Sequence, residues 1–208
     1  MKYLKEVRER FRAAPAFEMR DLRVFLRDRG IREPYLQLLA HNLVARGEVR
    51  RIRRGVYTFR EDAQVVGFGF RPLYYGLQDA LSLRDLWDQE TNPVVITPRS
   101  VRNGVRLFDG RNYLVRRIDR SMFFGFELVK YADFWVPVSD PEKTLIDFAY
   151  YREYLPPDAK RELARRSRPA VMAEYLRRCP ERVRDSLPRL ASYRGADRRP
   201  DERWSRAW

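Results

Sequence analysis

Residues 31–60 read IREPYLQLLAHNLVARGEVRRIRRGVYTFR, a short amphipathic segment running straight into an arginine-studded one. Pro34 suits the first position of a helix, where its missing N–H and fixed φ cost nothing. Leu36, Leu39, Ala40, Leu43 and Val44 then recur at the spacing of one apolar helical stripe. The opposite arc carries Leu38, His41, Asn42 and Ala45, with Gln37 at its edge. Gly47 stops the helix, and VRRIRR and VYTFR flank Arg54-Gly55 in a strand–turn–strand pattern whose glycine supplies a positive φ. Val49 and Ile52 do not alternate cleanly, which predicts either that Val49 is leaving the helix or that the strand bulges near Arg50 and Arg51.

Arg50, Arg51, Arg53 and Arg54 place four guanidinium groups in five positions. Such self-repulsion on a hairpin gives it no stability, so a polyanionic partner explains it better than a merely solvated surface does. Gln, Asn and His hydrogen-bond base edges, and the major groove admits a helix. The candidate DNA-binding set is therefore Gln37, Leu38, His41 and Asn42 for the major groove. Arg50, Arg51, Arg53 and Arg54 would hold phosphates or reach a flanking minor groove.

Working outward, residues 2–13 predict a first helix with Leu4, Val7, Phe11 and Ala14 on one side, ended by Pro15. A short strand is expected at Phe17–Met19. A second helix from Asp21 to Arg29 should bury Leu22, Phe25 and Leu26 and close at Gly30. Helix, short strand, helix, helix, hairpin is the order of a winged helix-turn-helix.

The chain has 208 residues and a formal charge of +14. Residues 1–60 hold 16 Lys and Arg against 7 Asp and Glu, an excess of nine, and the remainder only five, so the nucleic-acid surface is expected in the first sixty. One cysteine, Cys179, excludes an internal disulfide, and with one histidine, His41, there is no Cys/His set for a structural zinc. Cys179 is expected to be an inert thiol at a helix end. No apolar run approaches the roughly 20 residues of a membrane span, and MKYLKEVRERF is charged rather than signal-like, so a cytoplasmic protein is expected.

Glu61 to Gln64 reads as a polar hinge, and VVGFGF (65–70) as an apolar lead into a second domain. The stretch from Leu73 to Trp87 predicts a helix breaking near Ser82, with Tyr74, Leu77, Ala80 and Leu81 inward. PVVITP (93–98) predicts a buried strand. GVRLF and NYLVRRI, joined by Asp109-Gly110, predict a hairpin, and FFGFELVKY and DFWVPV two further strands. About five strands in a mixed, mostly antiparallel sheet follow. Ser139 and Glu142 suggest a capping box for a helix over SDPEKTLIDFAYY, in which Leu145, Phe148 and Ala149 face the sheet and Lys143 and Asp147 pair. Helices at about 158–167, 169–179 and 181–193 follow, with Pro188 expected to kink or split the last. The fold class is thus α+β. The expected domains are a winged helix-turn-helix at 1–62, a helix-packed sheet domain at 63–194 and a mobile tail at 195–208.

Catalytic groups are scarce. The one histidine lies on the groove-facing helix, so no Ser-His or Cys-His pair exists. No GxxxxGK[ST] or GxGxxG occurs. Asp109, Glu127 and Lys130 could be assembled around Mg²⁺ as a nuclease centre, but an exposed strand face explains them equally well. No catalytic residue, metal or cofactor is assigned.

Several segments resemble a known family. RRIRRGVYTF looks like the wing of the AbiE-type antitoxins, transcriptional regulators of type IV toxin–antitoxin systems. ALSLRDLWDQETNPVVITPR and FFGFELVKYADFWVPVSDPEKTLIDFAYY are similar to that family's antitoxin domain. Gly125, Phe126 and Glu127, then Glu142, Lys143, Thr144, Leu145 and Asp147, carry the likeness, which spans residues 3 to 155. The resemblance implies a repressor binding inverted repeats in its own promoter, and a second domain that neutralises a nucleotidyltransferase-like toxin without being an enzyme. Two other readings stand beside it: a standalone regulator whose second domain dimerises or binds an effector, and the Mg²⁺-dependent nuclease.

Overall fold

The computed structural model describes residues 3–87 and 89–191. Helix α1 (Leu4–Phe11) buries Leu4, Val7 and Phe11. Strand β1 is Phe17–Glu18, and α2 is Met19–Phe25, beginning two residues before the expected Asp21 because the Glu18 N–H donates to the Asp21 carboxylate at 2.7 Å. A 3-10 turn over Arg27–Arg29 closes on Gly30 at φ +63°, where glycine carries no Cβ penalty. Helix α3 is Glu33–Ala45, with Pro34 inside its first turn and Leu36, Leu39, Ala40 and Leu43 buried. Val44 is 36% exposed and lies at the edge of the stripe.

The hairpin β2 (Arg50–Arg53) and β3 (Val56–Thr58) turns at Gly55, φ +77°. Both readings of the irregular stretch hold. The Val49 N–H donates to the Leu43 carbonyl beneath the end of α3, and the β2–β3 register shifts between Arg51 and Arg53. The three strands form one antiparallel sheet in the order β1-β3-β2.

The segment after the hairpin is not a polar hinge. Ala63–Phe70 is a 3-10 helix, buried from Gln64 onward, and the Gln64 amide donates to the buried Asp79 carboxylate at 2.7 Å. The expected helix over 73–87 also divides. Tyr74–Tyr75 is strand β4 and only Leu77–Ser82 is helix, α4. Gly76 separates them: a Cβ there would lie 2.4 Å from Ile96 Cδ1, so any larger residue would have to displace that buried side chain.

Strands β5 (Val94–Thr97), β6 (Gly104–Phe108), β7 (Arg111–Arg117), β8 (Phe126–Tyr131) and β9 (Phe134–Ser139) stand where the sequence puts them. With β4 they form a six-stranded mixed sheet in the order β6-β7-β5-β4-β9-β8. Pairs β4–β5, β6–β7 and β8–β9 are antiparallel, while β4–β9 and β5–β7 are parallel. The two-residue β4 thus joins the halves of the sheet.

Helix α5 (Pro141–Tyr151) crosses one face and is capped by Asp140 rather than Ser139. The Asp140 carboxylate accepts the Lys143 N–H at 2.7 Å, while Ser139 still belongs to β9, paired with Phe126. Leu145, Phe148 and Ala149 are buried as expected. Helices α6 (Pro157–Arg166), α7 (Pro169–Arg178) and α8 (Glu181–Ala191) complete that layer, and α8 runs through Pro188 unsplit. The expected tail lies outside the described residues.

One buried cluster lies between this face and the helices, joining Tyr74, Ile96, Ile146, Phe148 and Leu163. The opposite face is covered by the 3-10 segment and, beyond it, the hairpin: Ile52 and Val56 share a cluster with Val66, Phe70, Val115 and Val136. Leu4, Leu22, Leu39 and Val49 form a separate core under α1–α3. The hairpin therefore has one side on its own helices and the other on the large sheet.

Candidate nucleic-acid interface

On α3 the sequence-selected residues fall on the outward side. Gln37 and His41 are exposed, Leu38 is 49% exposed and Asn42 is half-buried. Their opposite neighbours are the buried Leu36, Leu39, Ala40 and Leu43, so the stripe that packs the helix also fixes which arc points out.

The four hairpin arginines separate into two pairs. Arg51 and Arg54 are exposed, and neither has a carboxylate partner among the described residues. Arg50 and Arg53 depart from the phosphate-holding expectation. Arg50 donates to Asp109 at 2.5 Å, across to the β6–β7 turn, and to Glu61 at 2.6 Å. Burial works against its charge, but these two carboxylates outweigh that and raise its pKa. Arg53 donates to the Gly69 carbonyl at 3.0 Å and lies over the Phe70 ring. The alternation explains the split. Arg51 pairs with Tyr57 on one side of the ribbon, and the bulge turns Arg53 with Ile52 toward the large sheet.

Other cations flank the same arc. Arg32 precedes α3 and Arg46 caps its end, both exposed. Arg20, at the start of α2, is exposed as well. Sequence reading passed over these because they stand singly; their positions at helix ends were the available signal. Val44, Gly47, Val49, Arg50, Arg51, Leu107, Phe108 and Asp109 line a groove of about 400 Å³ between the end of α3 and the β6–β7 turn. Arg106 continues the basic surface onto the second sheet, its guanidinium 5.0 Å from the ring centroid of Phe70, the ring that Arg53 also covers.

The motif residues of the second half are interior. Lys143 and Asp147 are both wholly buried and paired one helical turn apart, and the Tyr74 hydroxyl donates to the Asp147 carboxylate at 3.0 Å. The Lys143 ammonium also lies 5.3 and 5.2 Å from the ring centroids of Tyr74 and Phe124. Burial pushes the Asp147 pKa up, against the pull of Lys143 and Tyr74. Glu142 is equally buried. Its Oε1 accepts the Arg168 N–H at 2.6 Å, while Oε2 has no partner among the described residues. Cys179 is a buried thiol ending α7, bonded to the Tyr175 carbonyl, and burial raises its pKa. Each of these groups fixes a helix or strand.

The suggested nuclease set does not assemble. Asp109 sits in the β6–β7 turn and Glu127 on β8, at opposite edges of the six-stranded sheet. Each is taken by an arginine, Asp109 by Arg50 and Glu127 by Arg84 at 2.8 Å. Among the described residues no group of His, Cys, Asp and Glu could hold a metal ion, and no helix is long and apolar enough to cross a membrane.

No protein-family model matches the chain, and no curated protein matches it.

Proposed function

We propose that the N-terminal part is a winged helix-turn-helix that binds double-stranded DNA, and that the protein is a transcriptional repressor. The order α1-β1-α2-α3-β2-β3, with its small antiparallel sheet, is the arrangement such a domain requires. One observation carries the reading. Gln37, Leu38 and His41 on the outward arc of α3 are exposed beside a hairpin whose Arg51 and Arg54 are exposed without carboxylate partners among the described residues. In this reading α3 enters the major groove with Gln37, Leu38, His41 and Asn42. Arg51 and Arg54, helped by Arg32 and Arg46, hold phosphates, while Arg50 and Arg53 lock the wing to the second sheet.

The test is a binding titration of the full chain against duplex DNA from upstream of its own gene, repeated at several salt concentrations. The double variant Arg51→Ala/Arg54→Ala should flatten the slope of log K against log salt by roughly 0.9 for each phosphate released. An unchanged slope removes the wing from the interface.

For the second half we infer the antitoxin role, on the resemblance of its FFGFELVKY and SDPEKTLIDFAYY segments to AbiE-type antitoxins. The burial of Glu142, Lys143 and Asp147 supports a structural rather than a catalytic part for these residues. Co-purification with a nucleotidyltransferase-like product of an adjacent gene would support this role, and a gene neighbourhood without one would count against it. A standalone regulator whose second half pairs with a copy of itself is the second reading. The exposed Leu128 and Trp135 favour it, because they share one face of β8–β9 and are 64% and 56% exposed. Light scattering on the purified chain separates a dimer from a monomer.

A further inference from the structure

Resting on the DNA-binding reading above, we propose that α3 selects A·T-rich duplex, with the Leu38 side chain packing on thymine methyl groups in the major groove.

The cations of the N-terminal part avoid the body of α3. Residues 1–60 hold 16 lysines and arginines, yet none stands between Glu33 and Ala45; the nearest are Arg32 and Arg46, at the two caps. The commonest specific contact to guanine is an arginine or lysine on its O6 and N7. The body of α3 has no such group. Its outward amide, Gln37, instead matches the N6–H and N7 pair of adenine.

The centre of the arc is apolar. At 100° per residue Pro34, Leu38, His41 and Ala45 lie within about 60° of one another, diametrically opposite the buried stripe. All four are exposed, and Leu38 is 49% so. A half-exposed leucine at the crest of a helix is wasted against water and against the N4 amino group of cytosine. The 5-methyl of thymine is the one hydrocarbon that the major groove offers. The cations at either end complete the fit. Arg32 and Arg46 on the helix caps and Arg51 and Arg54 on the hairpin are exposed; Arg46 lies near the Glu48 carboxylate, while Arg51 and Arg54 have no carboxylate partner among the described residues, so the apolar crest is framed by charge complementary to a phosphate backbone.

The experiment uses the full chain and three alternating copolymer duplexes in competition anisotropy at low salt: poly(dA-dT), poly(dA-dU) and poly(dG-dC). Uracil removes the methyl and leaves the hydrogen-bonding edge of the pair unchanged. The wild type should prefer poly(dA-dT) to poly(dA-dU) by about three- to fivefold for each methyl buried, and should bind poly(dG-dC) weakest. Leu38→Ala, a change outside every buried cluster, should keep the fold and bind poly(dA-dT) and poly(dA-dU) alike. Arg51→Ala/Arg54→Ala should weaken binding to all three by a common factor. Equal binding of the wild type to all three duplexes overturns the proposal and leaves the DNA-binding reading standing. Binding to none overturns that reading, and the proposal with it. If Leu38→Ala alters self-association and leaves the polymer preference intact, the arc is a protein contact and the proposal is again overturned.

Discussion

Arg50 and Asp109, fifty-nine residues apart, meet at 2.5 Å and tie the first hairpin to the tip of the β6–β7 turn. The pair makes the hairpin part of the larger structure, because Ile52 on the same strand is already buried in the core of the second sheet. Arg50→Ala should therefore act on stability. With its side chain 24% exposed and two carboxylates released, a loss of about 1 kcal/mol is expected. Arg51→Ala should leave the melting curve unchanged and act on DNA binding alone. Thermal melts and salt-dependent titrations of the two single variants, run side by side, check this division; equal effects on both readouts would refute it.

The contrast between Arg50 and Arg51 also marks how far the sequence alone could be read. Helices with local periodicity, the VVITP strand and the Asp109-Gly110 hairpin were legible because their signals lie within a few residues. Tyr74–Tyr75 was not. Two aromatic residues before an apolar helical pattern extend that pattern, and it is pairing with Val95, Ile96 and Val138, distant in the chain, that makes them a strand. The choice between Ser139 and Asp140 as helix cap was hidden for the same reason, since the pairing of Ser139 with Phe126 decides it. On the candidate site, residue type gave the outward arc of α3. It could not say that Asp109 and Gly69 would claim two of the four arginines.

Asp79 should make stability depend on pH. Its carboxylate is wholly enclosed and accepts from the Gln64 amide at 2.7 Å and from the Val94 N–H at 3.0 Å; burial outweighs both bonds and pushes its pKa from 3.8 up to about 7. Between those values the folded protein binds a proton that the unfolded chain has released. This contribution is therefore complete below about pH 4 and is lost as pH rises to 7, a change of about 4 kcal/mol. Asp79→Asn removes the buried charge and keeps the acceptor for Val94. Its Nδ2 replaces the oxygen that accepts from Gln64 Nε2, so the Gln64 amide turns over and presents Oε1, which is buried without a partner among the described residues, as the new acceptor. The variant should gain roughly 2–4 kcal/mol over wild type at pH 8 and nothing at pH 4. Urea melts at the two pH values measure the difference, and an equal gain at both would contradict the assignment.

Lys143 and Asp147 predict a non-additive pair. Both are fully buried, so Lys143→Met strands a carboxylate in the core and should cost about 3–5 kcal/mol. In Lys143→Met/Asp147→Asn the stranded charge is gone, and the asparagine carbonyl still accepts from the Tyr74 hydroxyl. The double variant should recover at least half of the loss. Urea denaturation of wild type, both singles and the double gives the coupling; a double variant no more stable than Lys143→Met would show that the buried charge is not the cause.

Gly125 and Gly110 separate backbone strain from steric exclusion. Both hold positive φ, +70° and +78°. At Gly125 a Cβ would lie 2.8 Å from Lys143 Cβ and 2.8 Å from the Tyr175 ring, whereas at Gly110 nothing among the described residues comes within 4 Å. Gly110→Ala should cost only the strain of a left-handed alanine, about 1 kcal/mol. Gly125→Ala adds overpacking against α5 and α7, which raises the expected cost to about 3 kcal/mol. It also pushes on Tyr175, whose hydroxyl donates to the capping carboxylate of Asp140 at 2.8 Å. Chemical denaturation of the two variants decides the matter: equal losses would mean that β8 moves aside freely and that the close approach of Gly125 to the helices constrains nothing.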